Sequence, residues 1–181
     1  MRALLIVDVQ NDFCPGGALA VPNGDRVVPI INGLMDHVGV IVASKDWHPP
    51  SSRHFTAWPV HCVQGTNGAE FHPALESKRI GQLFLKGTGI DDDGYSAFEA
   101  TSADLEVYLK QRKVDELYVV GLATDYCVKH SAIDASRRGL RTFVVTDAVA
   151  AVDVRPGDGD RAIEDMKAAG VEFVSSRDIH T

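Results

Sequence analysis

Six short runs of apolar, largely β-branched residues punctuate the chain, at 3–7, 40–43, 83–85, 117–120, 142–145 and 171–174. Each is continuous rather than alternating, which marks a strand buried on both faces. Between several of them the apolar spacing changes to that of a helix. Val27, Ile31, Leu34 and Val38 share one helical face after Asp25, and Leu105, Tyr108 and Leu109 share another after Ser102, so Asp25 and Ser102 are expected as N-caps. A third helix is expected from Tyr126 to a stop at Gly139, and a fourth over about 161–169 before Gly170. This alternation predicts an α/β fold, with residues 1–181 forming one doubly wound domain around a mostly parallel sheet of six strands.

In such sheets ligands bind beyond the carboxyl ends of the strands. Asp8 ends the first predicted strand, Asp46 closely follows the second, Lys86 ends the third, and Cys127 follows the fourth at the start of a helix. Four chemically capable side chains, far apart in sequence, are thus expected along one edge. The stretch 47–79, rich in Pro, Ser, His and Gly, carries no strand or helix pattern, and irregular segments of that length are usually functional.

Composition narrows the field. A length of 181 residues with 45% hydrophobic content suits one compact domain. A net charge of -7 would repel phosphate backbones and anionic membrane surfaces, so neither nucleic acid nor membrane is expected as a partner. The apolar run at 3–7 is too short for a signal-peptide core or a membrane span, and a cytoplasmic location is expected. Cysteines at 14, 62 and 127 leave one thiol unpaired in any disulfide scheme and contain no Cys-x-x-Cys, which fits a reducing compartment.

Cys127 is the strongest candidate for chemistry. It follows Gly121-Leu122-Ala123-Thr124-Asp125-Tyr126, where a strand gives way to a helix, and backbone N–H groups at such a junction lower a thiol pKa and can hold an oxyanion. A phosphatase loop would need Arg six residues later, where Ile133 stands. Peroxide chemistry lacks a clear resolving cysteine. Asp8 is positioned to take the thiol proton if burial raises its pKa, and Lys86 to stabilise both the carboxylate and a thiolate.

Asp46, His48, His54 and His61 fall within sixteen residues, at the start of the long loop that follows the second strand. A single histidine is more often a hydrogen-bonded structural residue, but four oxygen and imidazole donors together suit one divalent ion, zinc first, with manganese or iron as alternatives. His37, His72, His130 and His180 stand apart from this group. There is no His-Glu-x-x-His and no Gly-rich phosphate loop to suggest another chemistry.

The motifs Asp8-Val9-Gln10-Asn11-Asp12-Phe13, Lys45-Asp46-Trp47-His48, Trp58-Pro59-Val60-His61-Cys62-Val63, Lys86-Gly87, Tyr95-Ser96-Ala97-Phe98 and Gly121-Leu122-Ala123-Thr124-Asp125-Tyr126-Cys127-Val128 occur in order over most of the chain. In that combination the sequence resembles the nicotinamidase/pyrazinamidase family of isochorismatase-like hydrolases. The resemblance implies a catalytic triad of Asp8, Lys86 and Cys127, metal ligands Asp46, His48, His54 and His61, and a cis peptide between Leu122 and Ala123. It further implies an oxyanion site at the N–H groups of Ala123 and Cys127, and an aromatic slot for a pyridine ring formed by Phe13, Trp58 and Tyr95.

The implied activity is metal-dependent hydrolysis of nicotinamide to nicotinic acid and ammonia through a thioester, with pyrazinamide as a further substrate. Only three residues separate His54 from Trp58, fewer than in many members of that family, so a tight metal loop is expected. Three other readings stay open at this stage: a different amide, such as an N-carbamoyl compound; a metal hydroxide as the nucleophile; and a binding or metal-storage module without turnover. Self-association into a homo-oligomer is also left open.

Overall fold

In a computed structural model, which describes residues 1–180, the six apolar runs form one six-stranded, all-parallel sheet. The strands are β1 (Arg2–Val7), β2 (Val40–Asp46), β3 (Gln82–Lys86), β4 (Glu116–Leu122), β5 (Arg141–Ala150) and β6 (Glu172–Val174), in the spatial order 3-2-1-4-5-6. The helices are α1 (Val27–Leu34), α2 (Leu105–Gln111), α3 (Lys129–Arg137) and α4 (Asp158–Ala168).

Side chains alternate across the pleat and so divide the core in two. Leu4, Ile6, Val120 and Val145 pack with Val27, Ile31 and Leu34 of α1 on one face. Leu5, Val7, Val119 and Val144 meet Leu105, Leu109, Ala132, Ala135 and Met166 from α2, α3 and α4 on the other. Burial on both faces explains why these strands read as unbroken apolar runs.

Several boundaries differ from those expected. The first helix ends at Leu34 and passes into a 3-10 turn, Met35–His37, so Val38 is extended rather than helical. Asp25 is not its cap: it lies in the 3-10 turn Gly24–Arg26 that leads into α1. For α2 the cap is Asp104, whose side chain accepts the Val107 N–H, while the Ser102 hydroxyl accepts the N–H of Leu85 on β3. The third helix opens as a single π turn, Thr124–Val128, before α3, and the fourth begins earlier than expected, at Asp158.

Strand order reverses direction between β1 and β4, where the crevice of a doubly wound sheet opens. These two strands approach closely because Gly121 has a φ of 109° and no side chain, and a Cβ there would run into the backbone of Val7. Asp8, just past β1, and Cys127, in the π turn after β4, are thereby set side by side. Residues 47–79 hold only short 3-10 turns, with His48 bridged to Val63 inside the segment and Phe71 bridged to Gln10 beyond β1.

Candidate active site

Register explains how charges scattered through the sequence come together. Asp46 and Lys86 are partners across the β2–β3 ladder, and Val7 is the partner of Ser44. Lys86 is fully buried. Its ammonium lies 2.7 Å from Asp8 Oδ2, donates to the Gly94 carbonyl at 2.7 Å and to Cys127 Sγ at 3.3 Å, and is paired with Asp46 Oδ1. The Ser44 hydroxyl donates to Asp8 Oδ1 at 2.7 Å. All three members of the expected triad therefore meet, with Asp46 as a fourth participant.

The electrostatics follow from burial. Loss of water pushes the Asp8 carboxyl above its usual range, with Lys86 opposing and the Asp46 charge reinforcing. Asp46 goes the other way: burial alone would raise it, but the Lys86 charge and the nearby imidazoles of His48 and His61 hold it well below the usual value. Lys86 is held firmly protonated because Asp46, Asp8 and Cys127 together outweigh its desolvation.

The Cys127 thiol departs from expectation. Position at a strand-to-helix junction suggests a lowered pKa, yet burial and the carboxylates of Asp8 and Asp46 raise it well above the ordinary thiol value, with Lys86 opposing. At rest the sulfur carries its proton. A neighbouring carboxylate with a raised pKa is the complement such a thiol needs.

Next to this cluster lie the rings of His48, His54 and His61, all buried, with centroids 4.6 to 5.4 Å apart. Each has Nδ1 engaged: His48 with the Gly87 carbonyl at 2.9 Å, His61 with the Pro59 carbonyl at 2.6 Å, and His54 with Asp93 Oδ1 at 2.8 Å. That leaves Nε2 as the donor atom of each ring. The His48 and His61 Nε2 atoms lie 3.4 and 3.8 Å from Asp46 Oδ2, and His48 Nε2 is buried without a hydrogen-bond partner. Tautomer-fixing bonds on one nitrogen and an unsatisfied second nitrogen are what a metal-ligating imidazole requires. The three histidines thus form a buried donor group that fits a divalent cation, with Asp46 Oδ2 beside two of them.

The cavity above is lined by Phe13, Trp58, Tyr95, Ala123 and Cys127 together with Asp46, His54 and His61. Asp8, Lys86 and His48 are completely buried. The Trp58 indole N–H donates to the Tyr95 hydroxyl at 3.0 Å, and its ring stacks on His54 at 6.3 Å. The short spacing between His54 and Trp58 is taken up by the 3-10 turn Arg53–Thr56, after which Trp58 N–H bonds back to the His54 carbonyl. The Leu122–Ala123 peptide is cis.

Some participants escaped the sequence reading. Leu19, Val21, Tyr126 and Val152 complete the cavity wall, and Tyr126 meets Trp58 edge to face at 4.8 Å. Gln10 clamps Asp46 at the backbone, accepting its N–H at 2.9 Å and donating to its carbonyl at 2.8 Å. Tyr126 and Gln10 stand inside the quoted motifs, beside Cys127 and Asp8, which was their only signal. His130 stacks on Tyr95 at 5.3 Å, outside the metal-type cluster.

A sequence model of the Isochorismatase domain matches residues 2–178. The chain belongs to the isochorismatase family. Among members of that family, the Escherichia coli nicotinamidase is 41% identical over 98% of this chain and 96% of its own. The solved nicotinamidase/pyrazinamidase of Acinetobacter baumanii superposes with a TM-score of 0.92 at 39% identity, over 98% of this chain and 97% of that one. A Pyrococcus horikoshii pyrazinamidase solved in complex with zinc gives 0.86 at 40% identity, over 96% and 98%. The isochorismatase fold expected from the motifs is the fold observed.

Proposed function

We propose that this chain is an amidohydrolase acting on a linear amide, converting nicotinamide to nicotinic acid and ammonia and hydrolysing pyrazinamide in the same way. The observation that carries this reading is the meeting of Asp8, Lys86 and Cys127 beside an aromatic cavity that also takes in His54, His61 and Asp46. The names of the similar proteins support the substrate class.

In the proposed reaction the ring lies among Phe13, Trp58 and Tyr95, with its carboxamide over Cys127. Asp8, whose raised pKa makes it a competent base, accepts the thiol proton as the sulfur attacks the carboxamide carbon. N–H groups of Ala123 and Cys127 face the developing oxyanion. Lys86 keeps its charge throughout and offsets that of the thiolate. As the tetrahedral intermediate collapses, the C–N bond breaks and Asp8 returns its proton to the departing ammonia. The thioester is then hydrolysed by a water that Asp8 deprotonates, which releases the acid and restores the thiol.

Asp46, His48, His54 and His61 would hold one divalent ion, zinc in the first instance, with manganese or iron as alternatives. Bound there, it supplies Lewis-acid coordination for a pyridine nitrogen. The zinc complex of the Pyrococcus horikoshii relative supports this choice. Free Cys14, Cys62 and Cys127 fit a reducing, cytoplasmic location, and among the described residues no helix is long and apolar enough to cross a membrane.

Ammonia release from nicotinamide, followed with and without a chelator and after zinc is restored, tests the proposal. Release that depends on metal is expected. No ammonia from the zinc-loaded protein would refute the function.

A further inference from the structure

The segment 87–95, which follows β3, touches the site at four points. Gly87 carbonyl holds His48 Nδ1 at 2.9 Å, Gly94 carbonyl accepts from Lys86 at 2.7 Å, Tyr95 hydroxyl accepts from Trp58 at 3.0 Å, and Asp93 holds His54 Nδ1 at 2.8 Å. The last of these differs in kind. His48 and His61 are braced by neutral backbone carbonyls, whereas His54 is braced by a carboxylate. Asp93 is also mostly exposed, its side chain 64% accessible against 3% for His54.

The contact does not hang on one bond. The Arg53 N–H donates to the Ile90 carbonyl at 2.8 Å, and the Arg53 guanidinium pairs with Asp91 at 2.6 Å, which fastens the segment along the turn that carries His54. A carboxylate on Nδ1–H fixes the tautomer, orients the ring and makes Nε2 a stronger donor to a cation than a backbone carbonyl would.

We infer that Asp93 is a positioning residue for His54, and that its carboxylate sets the affinity of the histidine cluster for a divalent cation. The inference rests on reading Asp46, His48, His54 and His61 as a metal site.

Zinc affinity, measured by competition with a calibrated chelator at fixed pH, tests it in the wild type and in Asp93→Ala, Asp93→Asn and Asp92→Ala. Asp93→Ala is expected to weaken zinc binding by about 10- to 100-fold, the usual range for losing such a partner. Asp93→Asn keeps an acceptor but not the charge and should fall between. Asp92→Ala removes the same unit of charge from the segment and should leave affinity unchanged. Because the Asp93 side chain is mostly exposed, the melting temperature of metal-free Asp93→Ala should match that of metal-free wild type.

Unchanged affinity in Asp93→Ala, or an equal loss in Asp92→Ala, would overturn the assignment while leaving the metal site standing. A metal-free Asp93→Ala that melts well below wild type would make the residue a structural prop and also overturn it. Wild type that fails to compete for zinc would remove the metal site itself, and the inference with it.

Discussion

Lys86, itself fully buried, holds two carboxylates and a thiol at once. Removing it leaves Asp8 and Asp46 as buried, uncompensated charges, so Lys86→Met is expected to lower unfolding free energy by about 3–5 kcal/mol, read from urea denaturation. A Lys86→Met protein as stable as wild type would show that the carboxylates find other partners. Cys127 carries a separate expectation. Cys127→Ala should lose turnover yet still bind nicotinamide in equilibrium dialysis, because the aromatic and histidine walls do not depend on the sulfur, while Cys14→Ala should keep its rate. Full activity in Cys127→Ala would move the attack to another nucleophile. At this scale the sequence was legible wherever a side chain ends a strand, as Asp8 and Lys86 do. It was silent on Asp93, which meets His54 only because two irregular segments lie together. It also misdirected on the thiol pKa, since the local dipole is readable from a strand-to-helix junction but the burial of the sulfur, and the two carboxylates beside it, are properties of the folded sheet.

Among the elements, α2 gives a direct test of what the chain's polar punctuation means. Ser102 and Asp104 are both plausible caps by residue type, and the structure uses Asp104 for the helix and Ser102 for β3. Asp104→Ala should therefore cost about 1 kcal/mol of stability in thermal denaturation. A Ser102→Ala loss with Asp104→Ala neutral would reverse the two roles. The six strands were legible because burial on both faces forces continuous apolar runs. Their ends were less so: Asp46 belongs to β2 itself, since the ladder with β3 continues to pair it with Lys86, and polarity alone suggested that the strand had already stopped. The π turn at Thr124–Val128 was invisible for a related reason. Side-chain periodicity reports which face is buried, and one residue of extra backbone in a single turn leaves that pattern nearly intact.

For the molecule as a whole, alternating strand and helix signals specified the class of fold but not the order 3-2-1-4-5-6, which depends on which strands pair rather than on what any one strand contains. The candidate metal site draws on β2 and on the loops around it, so a bound ion should stabilise the entire domain. At free zinc a thousandfold above its dissociation constant the gain is about 4 kcal/mol, and the melting temperature should rise with zinc and fall back on chelation. A melting temperature indifferent to zinc would argue against binding to the folded state. Strand order has a second consequence. Lys86 lies on β3, an edge of the sheet, whereas Asp8 and Cys127 follow the central strands β1 and β4. The outer hydrogen-bonding groups of Leu85 are occupied by the Thr101 N–H and the Ser102 hydroxyl, a short latch rather than another strand. Amide protons of β3 should accordingly exchange through openings smaller than global unfolding. Each such opening withdraws the ammonium, the Gly87 carbonyl and the Asp93 carboxylate together, so the enzyme would fall silent while most of its sheet is still intact.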